Sequence, residues 1–355
     1  MTTHMQGRSA LWLGVAAMVA AGCATAPKPL QPRALALQAA GVEALGGGEL
    51  DRAAGHFALA LEYEPRIAEA ENGLGLVALR RGDWTRAEER FRAALAINEE
   101  LAEAHLNLAA TLVHRDAEAD ALVEARAALA IDPGYADARL LTAELLLRLG
   151  KLDEARWETE KLCAAAPDRA DAHAANALVL ARLGRTAAAE RALYRAMEID
   201  ARLPAAHRAR AELLQRAGDL EAASRELDLV IASNGASIDD RLAHAIVAAG
   251  RGLWSQAARE LAALLEAAPR RPEVHFAAAY VALARGQNDA ALYAADAALA
   301  LRRRYPEARL VRAEVLSRLG RDVEMRRELD RFLAEAPPAL AAERARAERM
   351  LRVSF

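Results

Sequence analysis

Four histidines, His105, His173, His207 and His275, are separated by whole multiples of 34 residues. Imidazole is both the commonest nitrogen ligand for transition metals and the usual proton carrier near neutral pH, so a recurring histidine is the first candidate for chemistry. A metal site needs donors that converge within a few Å. Residues one or more periods apart instead lie on successive elements at the same level, and the matching places elsewhere hold Arg139, Arg241 and Arg309. A series in which Arg alternates with His reads as polar packing at the edge of each element, with no metal and no cofactor. No Gly-rich phosphate loop, no Ser or Cys nucleophile motif and no His-x-x-x-His pair occurs. No confined acid/base pair is visible either, so the chain reads as a non-enzyme. The 47 Lys and Arg against 50 Asp and Glu give a net charge of −3, which supplies no basic field for nucleic acid.

The elements that carry these residues repeat. Gly41, Gly75, Ala109, Ala143, Ala177, Ala211, Ala245, Ala279 and Ala313 stand 34 positions apart. Twelve positions after each comes Ala53, Ala87, Ala121, Ala155, Ala189, Ala223, Ala257 or Ala291, with Met325 in the ninth place. Nine units without an insertion fill residues 34–339 and leave no room for a separate catalytic domain. Each unit has two apolar-periodic runs broken by Gly48, Gly82, Gly150, Gly184, Gly218, Gly252, Gly286 or Gly320, with Asp116 as the exception. Glycine there suits the left-handed residue that ends a helix, and Pro65, Pro133, Pro167, Pro269 and Pro337 punctuate the units. The expected unit is therefore an antiparallel helix pair. Small ladder residues let the backbones approach, and Phe57, Phe91, Leu193, Leu227, Leu261 and Leu329 fill the space beside them. A composition of 54% hydrophobic but 4% aromatic residues, rich in Ala and Leu, fits thin helical layers. Cys163 aligns with Leu61, Leu95, Leu129 and Leu265, and so reads as packing rather than redox.

This pattern resembles the tetratricopeptide repeat (TPR). The resemblance implies an all-α fold, a TPR α-solenoid in which nine 34-residue repeats wind as a right-handed superhelix, closed by a C-terminal capping helix at residues 340–355. Arg210, His244 and Arg312 depart from it, standing where the family usually has Leu; they imply either looser units or arginines paired with acids. In this family the first helices line the concave face. The corresponding places hold Leu106, Val113, Leu140, Leu147, Leu178, Leu242, Ile246, Phe276, Tyr280, Leu283 and Leu310, an apolar stripe interrupted by Glu144, Arg208, Glu212, Gln215 and Glu314. Two readings stand: a wide face needed for packing between neighbours, or a groove for an amphipathic helix or extended peptide, centred on Phe276 and Tyr280. Asn72 and Asn107 have no matching Lys, which argues against a clamp for acidic chain ends. Acids begin most first helices and bases end many, either as dipole compensation or as two charged rims along the groove.

The N-terminus reads as an address. Arg8 precedes the twelve-residue apolar run Ala10–Ala21, and Ala20-Ala21-Gly22 leads into Cys23. It resembles a bacterial lipoprotein signal at residues 1–22, with Cys23 as the lipidation site and residues 23–33 as a Pro-rich tether to the repeats at 34–339. Ala24, rather than Asp, after the cysteine implies the outer membrane, lipid-anchored and facing the periplasm; a soluble periplasmic protein is the alternative. The expected role is a scaffold that binds envelope proteins or peptide segments. It resembles the TPR lipoproteins that serve type IV pilus secretins; an adaptor for cell-wall (peptidoglycan) enzymes, or a soluble peptide- or ligand-binding protein, is the alternative. No nucleic-acid partner is expected.

Overall fold

The computed structural model describes residues 29–233 and 236–353. The expected lipoprotein signal, Cys23 and most of the tether lie outside the described residues. Within the described residues the chain forms nine consecutive helix pairs: α1 (Pro32–Gly46) with α2 (Leu50–Tyr63), α3 (Ala68–Arg80) with α4 (Trp84–Ile97), and α5 (Ala102–His114) with α6 (Glu118–Ile131). There follow α7 (Ala136–Arg148) with α8 (Leu152–Ala165), α9 (Ala170–Arg182) with α10 (Thr186–Ile199), and α11 (Pro204–Ala217) with α12 (Leu220–Ala232). The last three pairs are α13 (Ile238–Gly250) with α14 (Trp254–Ala267), α15 (Pro272–Ala284) with α16 (Asn288–Leu301), and α17 (Pro306–Arg318) with α18 (Asp322–Glu335). A 3₁₀ turn at Pro338–Leu340 leads into α19 (Ala341–Val353). The result is an all-α solenoid. Among the described residues no helix is long and apolar enough to cross a membrane. α1 starts inside the segment read as tether, at Pro32, because proline at a first helical position loses only a donor that has no intrahelical partner.

The helix reversals follow one local rule. In the α3–α4 turn, the Gly82 N–H donates to the Leu79 carbonyl at 2.9 Å and the Asp83 N–H to the Ala78 carbonyl at 3.0 Å. This Schellman arrangement requires a positive φ, which Gly82 supplies at 74°. Asp116 holds the same place in the α5–α6 turn with φ 56°, the one positive-φ residue other than glycine among the described residues. An L side chain there costs roughly 1 kcal/mol relative to glycine.

Side-chain volumes are matched within each pair. Fully buried Phe57 and Phe91 lie against the two ladder glycines: a Cβ on Gly41 would come within 2.6 Å of the Phe57 ring, and one on Gly75 within 2.4 Å of the Phe91 ring. Where the second helix carries a smaller residue the ladder residue is alanine, as in Ala177 with Leu193, Ala211 with Leu227 and Ala245 with Leu261. Phe57 also presses on the next unit, where a Cβ on Gly73 would meet its ring at 2.5 Å. All three departing positions face acids. Arg210 meets Glu226 at 3.3 Å, Arg312 meets Asp296 at 2.6 Å, and buried His244 lies 2.9 Å from Glu260 and 3.2 Å from Asp228.

One joint is irregular. α11 packs chiefly on α9 rather than on α10, through alanines at Ala174, Ala177, Ala206 and Ala209 that let the two first helices close on each other. At the C-terminal end α19 covers the last pair. Arg344 donates to the Leu333 carbonyl at 2.7 Å, Arg346 meets Glu314 at 2.9 Å, and Leu310 packs in the cluster that includes Met350 and Leu351.

Candidate protein-binding groove

The groove holds a cavity large enough for a side chain. It has a volume of about 300 Å³ and lies between Gln215 of α11, Leu220 of α12, Ile246 and Gly250 of α13, and Phe276 and Tyr280 of α15. Tyr280 is 49% exposed and Ile246 42%, so both walls of the cavity are open to solvent. Phe276 is half-buried, its ring 5.2 Å from that of Tyr305, and Trp254 stands 6.3 Å from Tyr280, so the aromatic wall is braced from behind. Gly250 explains why the space is open. Five other first helices have Arg80, Arg148, Arg182, Arg216 or Arg318 at this place, and α1, α5 and α15 have Gly46, His114 and Ala284; α13 ends in a glycine whose added Cβ would come 2.9 Å from Leu220. The cavity is apolar apart from Gln215 and the Tyr280 hydroxyl, the composition suited to an aliphatic or aromatic anchor.

A smaller recess of about 40 Å³ lies nearer the middle, lined by Glu144, Leu147, Asp171, Leu178 and Arg208. Arg208 crosses to α13 and donates Nη2–H to Asp240 Oδ2 at 2.8 Å, with a second bond from Nε. Asp240 is 1% exposed and also accepts from the Ser237 hydroxyl at 2.8 Å and backbone N–H at 2.9 Å. Burial alone would raise the Asp240 carboxyl, but these donors outweigh it and hold the group below its ordinary value. Glu144 lines this recess and is open to solvent. Removal from bulk water pushes its carboxyl above the ordinary value, against the pull of Arg208.

The other expected groove residues divide. Leu242, Leu283 and Leu310 are 7%, 4% and 6% exposed and serve packing, because neighbouring helices cover them. Leu106, Val113 and Leu140 are half-buried away from the cavity, and Leu147 and Leu178 edge the recess. Only Ile246, Phe276 and Tyr280 come together at the cavity. Gln215, expected as a polar break in the stripe, is one wall, whereas Leu220 and Leu261 were not expected there. The break in the arginine series at Gly250 is the signal that could have pointed to them.

The histidine series does edge work. The Nε2–H of His173 donates to the Pro167 carbonyl at 2.9 Å and that of His275 to the Pro269 carbonyl at 2.8 Å, tying down the turn between units. His105 and His207 face acids on their own second helices, Glu124 at 2.6 Å and Glu226 at 2.7 Å, as Arg139 does Glu158 at 2.7 Å. Among the described residues no group of three or more His, Cys, Asp or Glu could hold a metal. Cys163 is half-buried, and burial pushes its thiol up to about 11. We expect iodoacetamide at pH 8 to label it slowly in the folded protein and rapidly in urea, read by peptide mass mapping, because the thiolate is the reactive form.

The charged rims pair mostly with neighbouring units. Arg81 meets Asp51, Arg251 meets Glu221, and Arg148 meets Glu118 at 2.7 Å. One set joins units far apart along the chain: Arg271 donates to Asp116 at 3.0 Å over a separation of 155 residues, and Arg148 lies 3.8 Å from Asp239.

Comparison with known proteins agrees with this architecture. Tetratricopeptide repeat family profiles match residues 39–102, 75–136, 116–179 and 242–303, together more than half of the chain. No curated protein matches the sequence. Among solved structures, a tetratricopeptide repeat protein from Parabacteroides merdae is 16% identical with a TM-score of 0.51, over 71% of this chain and 99% of that one. The Cut9–Hcn1 hetero-tetramer of the APC/C is 14% identical with a TM-score of 0.55, over 75% of this chain and 52% of that one. At such identities these likenesses concern the fold alone. The in-phase ladders, the glycine-turned helix pairs and the matching profiles lead to one conclusion: the chain belongs to the tetratricopeptide repeat family.

Proposed function

We propose that this protein is a non-enzymatic scaffold that holds an envelope protein, or a peptide segment of one, in the groove of units six to eight. The fold is that of a protein-interaction scaffold, and the observation that carries the finer reading is the open apolar cavity walled by Ile246, Phe276 and Tyr280. An amphipathic helix or extended segment with one aliphatic or aromatic anchor fits it. The segment at residues 1–33 supports an outer-membrane, lipid-anchored position facing the periplasm, with Cys23 carrying the lipid. A secretin or a cell-wall enzyme is the class of partner consistent with that address.

The test is co-purification from detergent-solubilised envelopes of the native host, comparing the wild-type chain with Ile246→Glu/Tyr280→Glu. Both residues are more exposed than Phe276, which braces Tyr305, so these substitutions disturb packing less than one at Phe276. A partner enriched by the wild type should fall at least tenfold with the double variant, since one buried charge in an apolar pocket costs several kcal/mol. Equal recovery with both proteins would place the contact elsewhere. Cys23→Ser should release the protein from membranes into the soluble fraction; continued membrane association would count against the lipid anchor.

A further inference from the structure

We propose that Asp116 and Arg271 form a clasp that holds the superhelix closed across its own groove. Asp116 replaces the glycine that turns every other helix pair, and it keeps the positive φ of that glycine. A backbone held in a region that L side chains avoid asks for a compensating role. The carboxylate at that point supplies one, since it accepts from Arg271 at 3.0 Å, four units further along the chain.

The contact belongs to a network. The Arg271 side chain is only 15% exposed and meets Asp239 as well as Asp116, with Glu273 at 3.7 Å. Arg148 joins the same group from the other side, 2.7 Å from Glu118 and 3.8 Å from Asp239. The turn edge of units three and four thus meets the opposite edge of units seven and eight. The irregular joint between α9 and α11 lies between these edges, where close approach of two first helices brings the later units back toward the earlier ones.

Solvent-facing ion pairs are individually weak, are worth more as a network, and are screened by salt over ~3 Å at about 1 M against ~10 Å at about 0.1 M. A clasp of this kind opens reversibly. A polypeptide long enough to occupy the lumen would need it open, so the clasp would regulate access to the cavity at Tyr280. That last step rests on the peptide-binding reading of the groove; closure itself does not, and the experiment reads closure alone.

The experiment is small-angle X-ray scattering of the full chain at low and high salt, with Asp116→Gly and Asp116→Asn. Asp116→Gly restores the residue that eight sister turns already use, so folding is preserved. Asp116→Asn keeps a residue tolerant of positive φ and removes only the charge. We expect the wild type to be compact at about 0.05 M salt and to expand at about 1 M, and both variants to have the larger radius of gyration at low salt with little further response. Superimposable low-salt curves for the wild type and either variant would overturn the clasp, as would a wild type that does not expand in salt.

Discussion

Phe91→Ala should lower stability by about 3–5 kcal/mol, because the ring is fully buried and its removal leaves a void between helices that cannot collapse. In a solenoid each unit packs its core mainly on its neighbours, so the loss should appear as faster amide exchange in α3, α4 and α5 while distant units stay protected. The partner of that ring makes the test specific. Gly75→Ala places a methyl where the Phe91 ring already stands, 2.4 Å from Cε1, and should cost about 1–3 kcal/mol by overpacking. Gly75→Ala combined with Phe91→Leu should recover most of either loss, since it reproduces the pairing of Ala177 with Leu193 and Ala245 with Leu261. Urea unfolding of the wild type, Gly75→Ala, Phe91→Leu and the Gly75→Ala/Phe91→Leu double variant measures the coupling. Strict additivity would show that the two positions do not share one space.

Arg208→Ala should cost about 3 kcal/mol at neutral pH, because it leaves the 1% exposed carboxylate of Asp240 with only Ser237 as a donor. Its effect on pH dependence is more diagnostic. In the wild type the Asp240 carboxyl is held below its unfolded value, so its contribution is complete above about pH 4 and is lost as pH falls through the folded value. In the variant, burial dominates and the carboxyl rises above its unfolded value. The folded state then prefers the protonated form, and mild acid should recover part of the lost stability instead of reducing it. Denaturant midpoints between pH 4 and pH 8 for both proteins decide this. If the two pH profiles run parallel, Arg208 does not control that carboxyl.

The period was legible because it records a packing requirement. A helix pair that buries its faces against identical neighbours needs small residues where backbones approach and glycine where the chain reverses, so the ladders and turn glycines state the fold directly. The exchange of Gly75 with Phe91 for Ala177 with Leu193 can likewise be read along the chain, since the partners are sixteen residues apart in every unit. Spacing also placed His173 and His275 at unit edges, because a residue's place in the repeat fixes which turn it can reach.

Contacts that cross units at irregular distances were not legible. Leu242, Leu283 and Leu310 occupy the same kinds of place as Ile246 and Tyr280, yet neighbours cover the first group and leave the second open. A repeat pattern describes the average surroundings of a position, while exposure depends on the particular residues around it, such as Gly250 in place of an arginine. The meeting of Asp116 with Arg271 depends on small rotations accumulated through every intervening unit, including the close joint of α9 on α11. By itself, then, the sequence determined the helix pair, its number and its internal packing, because those are set by local spacing. The cavity at Tyr280 and the contact between units far apart along the chain were decided only by the tertiary structure, because curvature is a property of the whole stack.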